Sequence, residues 1–196
     1  MHDAAARVQA TRRGQLGRRR AAAASRNAAG RAAKGEWLVF VDADTRVSLM
    51  LFREMMRTMA RDDCLGGGCP VVFDSGPWLA RQTVILWNTA GRVLRLAAGS
   101  FLFCRASAFH DLGGFSQDWF AAEEVEFCVR LNRLGRRLSK RMVILNEPVV
   151  SSGRKVVRTG VVEGIGRALG WLSQLISSDK TRHRLIASFF PSMRLF

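Results

Sequence analysis

The sequence predicts an α/β fold: a mixed, mostly parallel sheet with helices on its faces. Three observations lead there. Trp37 to Val41 is an unbroken apolar run with no polar face, the pattern of a strand covered on both sides in the middle of a parallel sheet. Beyond it, segments with apolar residues at helical spacing alternate with short apolar runs. With 196 residues, 48% of them apolar, and no internal repeat or proline-rich linker, the chain can bury one substantial core.

Taken in order, residues 4–34 are rich in Ala and Arg and read as helix, with Ser25 to Lys34 leading into the strand Trp37 to Val41. Ser48 to Arg61 follows, where Leu49, Phe52, Met56 and Met59 share one helical stripe and Asp62 and Asp63 end it. A strand is expected at Pro70 to Phe73, a helix from Trp78 to about Leu96, and a buried strand at Phe101 to Cys104. Ser107 is placed to cap a single helical turn that stops at Gly113 and Gly114. A helix from Ala121 to Leu134 stops at Gly135, and Leu138 to Leu145 reads as the last strand. From Val156 to Ile176, Val157, Val161, Ile165, Leu169, Leu172 and Ile176 form one stripe of an amphipathic tail. Residues 1–155 are therefore expected as one domain, with 1–24 a basic helical lead-in, and 156–196 as a basic helical tail.

The formal net charge of +15 is unevenly spread. Residues 1–35 carry nine cations against one anion, 36–150 fourteen against thirteen, and 151–196 eight against two. Basic ends suit a membrane surface or an acidic ligand, and equally a set of solvated arginine-rich helices. Clustered cations of this kind can also neutralise phosphates, but nucleic acid is the least favoured of these partners. Cys64, Cys69, Cys104 and Cys128 show no CxxC spacing and read as buried, reduced thiols of a cytoplasmic protein. The longest charge-free stretch, Ala168 to Ser178, is too short to span a bilayer, and the N-terminus has no apolar signal segment.

The chemistry is concentrated where the first strand ends, in GEWLVFVDADT. Ligands of open α/β sheets bind beyond the carboxyl ends of strands, where Asp42 and Asp44 lie. If the backbone stays extended, the two carboxylates point one way and Ala43 inward. Such a pair can share a hard divalent cation with a diphosphate, or cap the next helix. Farther on, Glu123, Glu124 and Glu126 crowd a helix start, where carboxylates also favour the helix dipole.

The order of these motifs over residues 20–155 resembles family 2 glycosyltransferases of the GT-A fold: Asn27 in a helix, the strand ending Asp42-Ala43-Asp44, the turn Gly113-Gly114-Phe115, the pair Glu123-Glu124, then Arg130-Leu131 and Gly135. The resemblance implies a metal-dependent transferase that moves a sugar from a nucleoside-diphosphate sugar to an acceptor hydroxyl with inversion. It implies Mg²⁺ or Mn²⁺ at Asp42 and Asp44, and a general base at Glu124, where the family more often has Asp and Glu123 is the substitute. It places Asn27, Ala43, Asp44, Arg154 and Lys155 at the donor, and Gly113, Gly114 and Trp119 at the acceptor. Trp119 and Phe120 fit the core more readily than a sugar face, and Ser151 to Lys155 serves equally as a solvated basic loop.

Complete family members begin with a strand, a helix and a second strand that hold the nucleoside. Only 24 residues precede Ser25, so the resemblance implies an N-terminally truncated domain with an uncovered sheet edge. A catalytically inactive fragment acting as a basic binding or membrane-surface module is the alternative, and a nucleotidyltransferase is a further one. The expected location is cytoplasmic, with a peripheral hold on the inner face of the membrane as an option. The acceptor implied is a sugar, a lipid or another hydroxyl compound.

Overall fold

A computed structural model describes residues 22–75, 78–97, 100–116 and 123–152. All of them lie in the first of two units, Met1–Arg154 and Lys155–Phe196. The lead-in before residue 22, Trp119, Phe120, Arg154, Lys155 and the amphipathic tail fall outside the described residues.

The alanine-rich segment forms helix α1 (residues 22–32), which feeds strand β1 (Trp37–Val41). Strand β2 (Thr45–Arg46) and helix α2 (Leu49–Met59) follow, and Ser48 caps α2 by accepting from the Leu51 N–H at 3.0 Å. Next come β3 (Cys64–Gly68), β4 (Val71–Phe73), α3 (Trp78–Leu94) and β5 (Phe101–Arg105). The described elements end with α4 (Ala106–Asp111), α5 (Glu123–Arg137), β6 (Arg141–Ile144) and β7 (Val149–Ser151).

The main sheet has the order β1-β5-β3-β6. It is mixed, as expected, but β5 runs antiparallel to both β1 and β3, and only β3 and β6 pair in parallel. A second sheet has the order β2-β7-β4; β4 answers to the strand expected at Pro70 to Phe73, whereas β2 and β7, two and three residues long, are too short for periodicity to register.

Strand β1 departs from the sequence expectation. Among the described residues it lies at the end of its sheet rather than in the middle. Val39 and Val41, which share a face with Phe101 and Phe103 through the β1–β5 register, are each 43% exposed. An all-apolar strand looks doubly covered in sequence, but cover depends on which elements reach it.

Strand β3 was missed because CLGGG has almost no side chains to signal a strand. It is central and fully buried, and its glycines are there for contact. A Cβ on Gly67 would lie 2.1 Å from the Val143 carbonyl, and one on Gly66 2.7 Å from that of Phe103. Glycine in a strand marks such close backbone approach.

The register of α2 also differs. Leu51, Met55, Thr58 and Met59 face the core, while Leu49, Phe52 and Met56 are exposed. Two stripes at helical spacing coexist in LMLFREMMRTM, and packing selects the second. Helix α4 starts at Ala106, so Ser107 lies inside it rather than capping it, and α5 continues through Gly135 to Arg137. A Cβ on Gly135 would meet the Lys140 carbonyl at 2.7 Å as the chain returns into β6.

One face of the sheet packs Phe101 and Phe103 with Leu51, Met55, Leu145 and Val149. The other carries a ring cluster in which Phe40 meets Phe109 and Phe115, and both of those meet Phe127. Helix α3 is fastened to β4 by Asn88, whose amide donates to the Val71 carbonyl at 2.9 Å and accepts from its N–H at 3.1 Å. Its other side leaves Trp78, Ile85, Leu86 and Val93 exposed. The four cysteines are buried free thiols, as expected.

Candidate active site

Helix α1 reaches the site because one of its faces is made to sink. Ala23, Asn27 and Gly30, at helical spacing, are buried, and a Cβ on Gly30 would lie 2.7 Å from the Phe109 ring. Asn27 completes the anchor. Its Nδ2 donates to the Phe115 carbonyl at 2.8 Å, and its Oδ1 accepts from the Phe115 N–H at 2.8 Å. One side-chain amide thus stands in for a strand partner and ties α1 to the Gly113-Gly114-Phe115 turn.

That turn is glycine-dependent for two separate reasons. Gly113 and Gly114 have φ of 72° and 77°, in the left-handed region. A Cβ on Gly113 would meet nothing within 4 Å, whereas one on Gly114 would lie 2.5 Å from Asn27 Oδ1. Arg130 of α5 braces the same turn, donating to the Leu112 carbonyl at 2.6 Å and to the Gly114 carbonyl at 2.8 Å. Glu126, one helical turn before it, holds the guanidinium at 2.6 and 2.7 Å.

The residue next to Asn27 points to the end of β1. Arg26 donates from Nη2 to Asp42 Oδ1 at 2.9 Å, and from Nη1 to Glu124 Oε1 at 2.5 Å and Glu123 Oε1 at 3.3 Å. The side chains of Arg26, Asp42 and Glu124 are 21%, 26% and 16% exposed, so the group is sheltered from water without being sealed. Burial works against the charge on Arg26, but Glu124 and then Asp42 more than offset it and raise its pKa above the ordinary value. The Phe115 ring lies 5.8 Å from the guanidinium carbon and supports it from one side.

Asp42, Ala43 and Asp44 do not continue the extended strand. The Thr45 N–H donates to the Asp42 carbonyl at 3.0 Å and closes a turn. Ala43, expected to point inward, is exposed, and Asp44 is half-buried. The turn carries the chain directly from β1 in the main sheet into β2, which pairs antiparallel with β7 in the second sheet.

The fold therefore brings Asp42, Glu123 and Glu124 to one point, with Asp44 two residues from Asp42. Gly113 and Gly114 are joined to that point through Phe115 and Asn27. Asn27, expected at the donor, spends its amide on the backbone of Phe115. Arg154, Lys155 and Trp119 lie outside the described residues. Arg26 was missed, because in the arginine-rich segment of residues 4–34 nothing but its place beside Asn27 distinguishes it. Glu126 and Arg130 were noticed only as helix-end chemistry and as part of a motif. Among the described residues no three His, Cys, Asp or Glu side chains are grouped so as to hold a metal ion unaided.

Comparison with known proteins bears on this arrangement. No curated protein matches the chain. Among solved structures, it is similar in fold to a mannosyltransferase from Pyrobaculum calidifontis in complex with GDP-Man and Mn²⁺, at 15% identity and a TM-score of 0.49, covering 88% of this chain and 55% of that one. The chain thus spans little more than half of that protein's length. The family model described as glycosyl transferase family group 2 matches residues 37–170, a stretch that holds β1, the DAD turn, the glycine turn and the acidic start of α5. The chain belongs to glycosyl transferase family group 2.

Proposed function

We propose that this chain transfers a sugar from a nucleoside-diphosphate sugar to an acceptor hydroxyl in a single displacement with inversion. The observation that carries this reading is the meeting of Asp42 and Glu124 on one guanidinium, which brings the carboxylate at the strand end and the acidic helix start to the same place. Glu124 would take the proton from the acceptor hydroxyl as its oxygen attacks the anomeric carbon, with Glu123 beside it. No enzyme nucleophile is needed.

The donor set fits a hard divalent cation, Mg²⁺ or Mn²⁺. Asp42 and Asp44 offer only oxygen, and a guanidinium already finds Asp42 a suitable partner for positive charge. With no third ligating side chain grouped there among the described residues, the cation would depend on the donor's phosphates to complete its shell. When bound, it would offset the charge that develops on the departing nucleoside diphosphate. The experiment is thermal shift of the purified chain with uridine or guanosine diphosphate, with and without Mn²⁺. Stabilisation is expected only when both are present, and is lost in Asp44→Ala. No shift in any combination would leave the inactive binding module as the better reading.

A peripheral, cytoplasmic position at an anionic membrane surface is the location we favour. What supports it is helix α3, where Trp78, Ile85, Leu86 and Val93 are exposed on one side, with Arg81 and Arg92 on the same helix and Arg95 just past its end. No acidic residue occurs between Asp74 and Asp111 to oppose a negative surface. Co-flotation with phosphatidylserine vesicles, absent with phosphatidylcholine alone and reversed by salt, is the expected result.

A further inference from the structure

We propose that Arg26 is the resident counter-ion of this site and a positioning residue for the transfer: it holds Asp42 and Glu124 together before the donor arrives and releases Asp42 when cation and diphosphate enter together. The inference rests on the glycosyl-transfer reading and adds to it the order in which the site's ligands are admitted.

The geometry of the fork points to this role. Nη2 serves the carboxylate at the strand end and Nη1 serves those of α5, so the two nitrogens span motifs 16 and 98 residues away from Arg26. A planar guanidinium can do this and a lysine ammonium cannot. The helix beneath it cannot slide, because Asn27 is locked to Phe115 through both of its amide atoms and Gly30 lies against the Phe109 ring. Release of Asp42 is therefore a matter of side-chain rotation, in which Arg26 turns away, rather than of a shift of α1.

Charge sets the consequence. A bare divalent cation approaching Asp42 meets a positive group already bound to it, so it gains little and is opposed by the guanidinium. A cation that arrives with a diphosphate also brings anionic oxygens, to which Arg26 can turn as it leaves Asp42. The exchange then keeps every charge paired. Metal and nucleotide should bind cooperatively because Arg26 penalises metal alone.

The test is Mn²⁺ binding without nucleotide, followed by the loss of the free-ion paramagnetic resonance signal. Wild-type protein should bind Mn²⁺ weakly alone and much more tightly with uridine or guanosine diphosphate. Arg26→Gln should bind Mn²⁺ alone about tenfold more tightly than wild type, with a correspondingly smaller gain from nucleotide. Arg26→Lys, which keeps the charge but not the fork, should gain about threefold and serves where the glutamine variant fails to fold. A purely structural Arg26 would lower the melting temperature and leave Mn²⁺ affinity unchanged; that result in either folded variant overturns the proposal. A wild-type protein that ignores Mn²⁺ even with nucleotide present would instead sink the glycosyl-transfer reading, and this inference with it.

Discussion

Arg26 and Glu124, 98 residues apart in sequence, are joined by a 2.5 Å hydrogen bond at the mouth of the site. Removing the guanidinium takes away the cation that Glu124, Glu123 and Asp42 share. Arg26→Ala should cost about 1 to 3 kcal/mol, less than for a sealed ion pair because the group is partly hydrated. Urea denaturation measures the loss, and Asp42→Asn in the same background should recover part of it by removing one of the repelling charges.

The two glycines of the turn should behave differently when replaced by alanine. Gly113→Ala meets open space and carries only the strain of its positive φ, about 1 kcal/mol. Gly114→Ala adds a clash with Asn27 Oδ1 and should lose at least about 2 kcal/mol. Equal losses from the two would contradict the packing described.

Asn27→Ala leaves both the N–H and the carbonyl of Phe115 unpaired in a buried place, a cost of about 2 to 4 kcal/mol. Asn27→Asp keeps an acceptor but brings a second acceptor towards the Phe115 carbonyl, so it should not rescue. Thermal melts of the three proteins separate these outcomes.

Glu124→Gln should lower turnover by about a hundredfold to ten-thousandfold, the usual contribution of a general base, while the Mn²⁺-dependent stabilisation by nucleotide remains. Glu123→Gln should be the milder change, since its oxygen stands farther from Arg26 at 3.3 Å. Steady-state kinetics of the pair would reverse the assignment if Glu123→Gln proved the more damaging.

Burial pushes the Cys69, Cys104 and Cys128 thiols up to about 12. In the unfolded chain the same thiols ionise near about 8.5. The folded state thus holds protons that the unfolded state gives up, so their contribution to stability is complete below about pH 8 and declines as pH rises towards 12. Denaturation midpoints should fall between pH 8.5 and 10, and a thiol reagent should label these cysteines only after unfolding.

Much of the fold is legible in the sequence. Trp37 to Val41, Phe101 to Cys104 and the long helix from Trp78 each carry a pattern that local physics reads as one element type, although the place of β1 in its sheet is not part of that pattern. Strand β3 was not legible, because its identity lies in the contacts that three glycines permit rather than in any side chain. The core stripe of α2 was ambiguous for a related reason: two apolar rows were available, and only the sheet beneath chose between them.

The chain's motifs, by their order and residue types alone, determined that carboxylates close a strand and open a helix eighty residues later. Their meeting on Arg26 was decided by tertiary structure. A guanidinium becomes significant through what lies within 3 Å of it, and that depends on Asn27, Gly30 and Gly114 fitting α1 against the glycine turn. Local pattern reports which side chains a segment carries, whereas the packing of distant segments sets which charges must share one space.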